Sequence, residues 1–287
     1  MANTLLTPSI IAKEAIMVLI NNLVAGNLVH KGFSTEFAEV GDSITVRKPT
    51  NFVAKDFVEG TDITLQNATE TGVTLTLNKF KDVSFSVTSK DLALNINDFS
   101  LQFLQPAMRA LAQQIDSDIL FVANDFSYTY VRGAVPEISD WANADKILND
   151  NQVPITERNA VLCTAHNADY LAIDNLVKVS ESGSVGALRN ANIGRVMGFE
   201  TYWSQNMPKS DDSKDQSLLF HQNAIALITA PLDTKGSEFM ASENFQGVTI
   251  RVAQDYDIKS KNQIFSLDCL YGVKVLDNKL GARLVSA

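Results

Sequence analysis

Between Gly41 and Val87 the apolar residues recur at every second position, whereas on both sides of that stretch they recur at every third or fourth. Period two marks half-buried antiparallel strands and period 3.6 marks amphipathic helices, so the chain must build both kinds of layer. Ser43-Ile-Thr-Val-Arg-Lys48 alternates and is stopped by Pro49. Val73, Leu75 and Leu77 then share one face, with Thr74, Thr76 and Asn78 opposite, and Val83, Phe85 and Val87 resume the same parity after Lys79-Phe-Lys-Asp82. The stretch between these strands, Asn51 to Gly72, is long, polar and turn-rich. Strands joined by such a loop either project from a domain as a β-arm or lie on their own sheet as a surface hairpin.

Two long helices are predicted. Thr7 is a suitable N-cap and Pro8 suits the first helical position. Ile11, Ala15, Val18, Leu19 and Asn22/Leu23 then form one apolar stripe that Gly26 can end. This helix is followed by strand-like sequence, so its stripe must dock elsewhere, as a peripheral arm or as the first core helix. The stronger pattern runs from Asn97 to Phe126, with Leu101, Leu104, Met108, Leu111, Ile115, Ile119 and Val122 at spacings of three and four. Pro106 either starts the regular helix or kinks its first turns. From Pro106 to Phe126 the rod would be about 31 Å long, enough for the spine of a sheet-backed domain.

From Pro136 to Tyr256 short patterns interleave. Asn143 to Leu148 and Asn167 to Leu176 look helical, and Ala160-Val-Leu-Cys163 looks like a buried strand. Leu218 to Ala230 is apolar, while Gln246 to Val252 and Leu267 to Leu276 read as strands. Ser180 to Gly186 is small and polar, and Ser210 to Asp215 is a charged loop. No regular βαβ rhythm and no repeat is visible, which argues for the α+β class.

Composition narrows the function. With 24 Lys+Arg against 33 Asp+Glu the formal charge is −9, too acidic for a cationic nucleic-acid binder. Cys163 and Cys269 are the only cysteines, which excludes a disulfide scaffold and suits a reducing cytoplasm. No secretory leader is expected from Met1-Ala-Asn-Thr-Leu-Leu-Thr, and Lys13, Glu14, Asn21 and Asn22 interrupt the most apolar stretch, so no transmembrane helix is expected.

Catalytic signals are weak. His30, His166 and His221 are scattered. Cys163-Thr-Ala-His166 has a C-x-x-H spacing, but zinc needs a second pair of ligands and a nucleophile needs an orienting third group. No nucleotide-binding, hydrolase or metalloprotease motif occurs, and Asp211 to Asp215 lacks the glycine and terminal Glu of a calcium loop. We therefore expect no catalytic residue, cofactor or metal site. The cluster Arg47, Lys48, Phe52, Lys55 and Phe57, flanked by Asp56, Glu59 and Asp62, reads as a mixed-charge contact surface.

Several phrases, in this order, resemble the major capsid proteins of tailed bacteriophages, in particular the short-tailed-phage coat group. They are Asn3-Thr-Leu-Leu-Thr-Pro-Ser-Ile-Ile-Ala-Lys-Glu-Ala15, Asn27-Leu-Val-His30 and Val40-Gly-Asp-Ser-Ile-Thr-Val-Arg-Lys-Pro49. Ile193-Gly-Arg-Val-Met-Gly-Phe-Glu-Thr-Tyr-Trp-Ser204, Phe220-His-Gln-Asn-Ala-Ile-Ala226 and Asp268-Cys-Leu-Tyr-Gly-Val-Lys-Val275 follow. Each phrase is weakly specific; their order along nearly the whole chain is more so.

The resemblance implies an N-terminal arm over 1–34, an extended β-arm (the E-loop) over 35–90, a peripheral domain with the spine helix from 91–135 and 257–287, and an axial domain over 136–256, without an inserted domain. It implies a virion shell subunit that assembles with copies of itself into pentamers and hexamers around double-stranded DNA, in the host bacterial cytoplasm. A separate scaffolding protein, a portal and only weak contact with DNA would accompany it. Arg47, Lys48, Phe52, Lys55, Phe57 and Glu59 become candidate intersubunit contacts. The alternatives are an encapsulin-like compartment shell and, from another class, a cytoplasmic enzyme using Cys163 or His166.

Overall fold

The computed structural model describes residues 8–33, 43–48, 52, 54–56, 59–60, 62–63, 65, 71–88, 100–178, 190–232, 234 and 239–287. Helix α1 (Pro8–Asn22) begins on the proline, and its stripe of Ile11, Ala12, Ala15, Ile16, Leu19 and Ile20 is buried. The stripe packs inside its own chain, so this segment is a core helix by contact. The spine enters through a π-helical turn, Ser100–Leu104, before α2 (Gln105–Phe121), and leaves through a 3-10 turn, Val122–Asp125. Both sequence alternatives for Pro106 hold in part: the regular helix starts there, with the proline in its first positions, and the turn ahead of it is irregular. The regular rod is correspondingly shorter, about 25 Å for its 17 residues.

Strands β1 (Ser43–Lys48) and β2 (Thr71–Thr76) form a two-stranded antiparallel ribbon separate from the larger sheets. Next comes β3 (Lys79–Thr88), where half-buried and exposed positions alternate, with Val87 fully buried, in the single parity predicted from Val73 onward. After α2 follow β4 (Thr129–Val131), α3 (Ser139–Asp150), β5 (Arg158–Leu162), α4 (Thr164–Leu171) and a helical turn, Asp174–Val177. The remaining strands are β6 (Arg195–Val196), β7 (Phe199–Trp203), β8 (Gln216–His221), β9 (Ile225–Ala230), β10 (Met240–Phe245), β11 (Val248–Asp257), β12 (Asn262–Val275) and β13 (Gly281–Val285).

Two layered cores result. In the first, α1 and α2 cover a sheet ordered β10-β11-β12-β3, with β9 also paired to β12. In the second, Trp141, Tyr170 and Phe199 lead a cluster on a six-stranded sheet ordered β4-β13-β8-β5-β7-β6. Pairing there is mixed, with β13–β4 and β5–β7 parallel. The sheets cross the 136–256 boundary expected from the resemblance: β9, β10 and β11 join the sheet of β3 and β12, while β13 joins that of β5 and β8. The class is α+β. Among the described residues no helix is long and apolar enough to cross a membrane.

Candidate intersubunit surface

The ribbon is built by alternation. Ser43 pairs with Thr76 and Lys48 with Thr71, which puts Ile44, Val46, Val73 and Leu75 on one face. Leu75 is buried and the others partly so, against Ala226, Ile228 and Ala230 of β9 and against Phe33 and Leu276. The opposite face is polar: Thr45 and Thr74 share a hydroxyl hydrogen bond of 3.2 Å across the strands. A Cβ at Gly72 would stand 2.5 Å from the Thr45 methyl group, so any larger residue there would push that side chain aside. The ribbon rests on its own chain, and the described residues of its connection are exposed.

Two carboxylates on α2, Asp116 buried and Asp118 partly so, tie the neighbouring elements to this root. Asp118 accepts the Tyr271 hydroxyl at 2.6 Å and the Lys79 ammonium at 3.0 Å, just beyond the end of β2. Burial alone would raise its pKa, but these two donors and the Lys81 charge hold the carboxyl below its ordinary value. Asp116, only 2% exposed, accepts the backbone N–H groups of Val24 at 2.7 Å and Gly26 at 2.9 Å, where the chain leaves α1. No cation among the described residues answers it, and burial raises its carboxyl to about 6 despite the donated N–H groups.

Among the candidate contacts, Phe52 is 63% exposed, and Lys55 and Glu59 are also exposed. Arg47 and Lys48 sit at the tip end of β1, their backbones paired with Gly72 and Thr71. Phe57 lies outside the described residues, as do Ser180 to Gly186. Sequence reading missed Ile63 and Leu65, which are 71% and 83% exposed beside Asp62. Their alternation, Ile-Thr-Leu, was too short to stand out from a polar loop.

Cys163 and His166 come together in a structural role. The Cys163 sulfur caps α4 by accepting the His166 N–H at 3.4 Å, and burial raises its thiol pKa, which opposes a reactive thiolate. The His166 ring is fully buried between two hydroxyls, Ser217 at 2.7 Å from Nδ1 and Ser286 at 2.9 Å from Nε2. The Cys163 N–H donates to Ser217, whose own proton is then free for Nδ1, leaving the Nε2 proton for Ser286. Burial first, then the Arg132 charge, lowers the ring to about 4, so it is neutral at pH 7. The charged stretch Ser210 to Asp215 is a surface turn, closed by Ser210 and Lys214.

No family model and no curated protein matches the sequence. Solved structures do match. A chain from Mycobacterium phage Che8 is 20% identical, with a TM-score of 0.68 over 91% of this chain and 90% of its own. The capsid structure of cyanophage P-SCSP1u is 13% identical, with a TM-score of 0.61 over 86% and 84%. A virus-like particle from Pyrococcus furiosus is 9% identical, with a TM-score of 0.57 over 96% and 97%. The chain has the α+β fold of phage capsid proteins, as the sequence resemblance implied.

Proposed function

We propose that this chain is a major capsid protein that assembles with copies of itself into an icosahedral head around double-stranded DNA. The observation that carries the reading is the β1–β2 ribbon on a capsid fold. Its root is packed on its own chain, while its connection holds out Phe52, Ile63 and Leu65 at 63%, 71% and 83% exposure. A contact with a neighbouring copy would bury these apolar side chains and remove them from water. A heterologous contact that closes on itself gives rings, here pentamers and hexamers.

Arg47, Lys48, Phe52, Lys55, Phe57 and Glu59 are the proposed contacts of this arm. The core of α1, α2 and the five-stranded sheet takes the peripheral role, and the six-stranded sheet the axial one. The formal charge of −9 suits a wall that encloses DNA without gripping it. A separate scaffolding protein and a portal complete the assembly, which takes place in the host cytoplasm. The work is association, not catalysis: Cys163 and His166, the pair an enzyme reading would use, are buried in local hydrogen bonds.

Negative-stain microscopy of the expressed protein, with nuclease-protected DNA measured in phage-infected cells, tests the proposal. Closed shells are expected; a persistent small monomer would refute it. Lys55→Glu should lower head yield, and an unchanged yield and stability would remove Lys55 from the contact. A second reading, a compartment filled with cargo protein, draws on the likeness to the Pyrococcus virus-like particle. Protein-filled shells lacking DNA would favour it.

A further inference from the structure

At the root of the ribbon, β2 and β12 touch where the Thr76 carbonyl passes over Gly272, and beyond that point an open groove of about 670 Å³ separates them. Val73, Tyr128, Val275 and Leu276 give it an apolar lining, and Lys274 and Lys279 stand at its rim. Both lysines are exposed, and neither forms an ion pair with a described residue. The one carboxylate in the lining, Asp277, is turned to the backbone N–H of Lys279 at 3.1 Å. On the other side of the groove, β2 has β1 on one edge and no described strand on the other.

The same chain carries a segment of matching character. Asp62, Ile63 and Leu65 are exposed, with Asp56 and Glu59 exposed just upstream. Two apolar side chains spaced two apart, preceded by three carboxylates, complement an apolar trough with a basic rim and a strand edge that no described strand covers. An extended segment can add to such an edge while its alternate side chains fill the trough. We infer that this groove receives the Asp62–Leu65 segment of a neighbouring copy of the chain. The inference rests on the shell reading above and names the receiving surface for its arm. Groove and segment are different patches of one surface, so the contact is heterologous and propagates from copy to copy. Asp62 and Glu59 face the ammonium groups of Lys274 and Lys279, and Ile63 and Leu65 enter the lining.

The test is a cysteine pair, Leu65→Cys with Asn278→Cys, in assembled particles under mild oxidation. The two native thiols are buried and free. A ladder of covalent dimers and higher oligomers is expected on a non-reducing gel, absent from either single variant. Intact particles that yield only monomer bands, whether unlinked or linked within one chain, overturn the groove assignment and leave the shell reading standing. Failure of the unmodified protein to form particles overturns the shell reading itself.

A charge exchange keeps the idea exposed should the cysteine pair not assemble. Lys274→Glu with Lys279→Glu should cut particle yield at least tenfold at unchanged monomer melting temperature. Adding Glu59→Lys with Asp62→Lys should restore it. Undiminished yield in the first variant, or no recovery in the second, overturns the proposal.

Discussion

The carbonyl oxygen of Thr76 occupies the space that a side chain at position 272 would need. Gly272 lies within β12, where it pairs with Ile228 of β9, so the position is fixed from one side while β2 crosses from the other. A methyl group here meets backbone, which cannot swing away as a long side chain does. Gly272→Ala should therefore cost about 1–3 kcal/mol, the range for forced overpacking, and lower the melting temperature by several degrees. Gly133→Ala is the control, since a Cβ there meets nothing closer than the Val135 carbonyl at 3.8 Å. Calorimetry on both variants should separate them; equal melting temperatures would show that the crossing has slack.

Asp116 fixes the end of α1 through backbone N–H groups, and its carboxyl is raised to about 6 from 3.8. A raised folded value means that the folded protein holds this proton more tightly than the unfolded chain. The stability it supplies is complete below about pH 4 and is lost as pH rises through 6. Between pH 7 and pH 5 the gain is about 1 kcal/mol at one site. Urea unfolding at the two pH values should show that increment in the wild type and not in Asp116→Asn. Parallel profiles for the two proteins would exclude it.

Asp118, two residues along the same helix, behaves in the opposite sense. Its value is depressed, so its stabilisation is present at neutral pH and lost as pH falls through the folded value. Removing the charge leaves the Lys79 ammonium and the Tyr271 hydroxyl short of their acceptor. Asp118→Asn should cost about 1–3 kcal/mol at pH 7 and much less near pH 3. Amide exchange should rise in β2 and the start of β3, the segments that Lys79 joins. A cost that does not shrink on acidification would argue that the lost bond is purely steric.

What the sequence revealed was local. The parity from Val73 to Val87 is visible because side chains alternate on a strand whatever it pairs with, and the stripes of α1 and α2 follow for the same reason. What those faces meet is not local. The partner of β3 in the sheet, β12, is far along the chain, and β13 reaches β4 by parallel pairing across 150 residues of sequence. This is why the grouping of β9–β11 and β13 escaped the sequence. Asp116 left a faint signal, a carboxylate four residues after Ala112 on the apolar face of the spine, but the N–H groups that donate to it lie near residue 25. Arg158 left none. Its guanidinium is buried and closes the end of α3, donating to the Val153 and Pro154 carbonyls and to Asn149 and Asp145. Of the proposed contact residues, Phe52, Lys55 and Glu59 were legible as part of a mixed-charge cluster. The groove was not, because it is assembled from three remote stretches, 72–74, 127–128 and 274–279.

The second core should be the acid-sensitive one. His166 is buried and neutral, its ring lowered to about 4, whereas in the unfolded chain it takes up a proton near its ordinary 6.5. A depressed base stabilises the fold above the unfolded value and loses that contribution as pH falls. From pH 7 to pH 5 the loss is about 2 kcal/mol, opposite in sign to the gain at Asp116. The ring bridges Ser217 of β8 and Ser286 next to β13, so both strands should feel the change. Hydrogen exchange, corrected for intrinsic rates, should show β8 and β13 opening more readily at pH 5 while the α1–α2 junction becomes better protected. His166→Gln should be less stable at pH 7 yet lose nothing further on acidification. Equal acid lability of β8 in the wild type and this variant would assign the effect to another group.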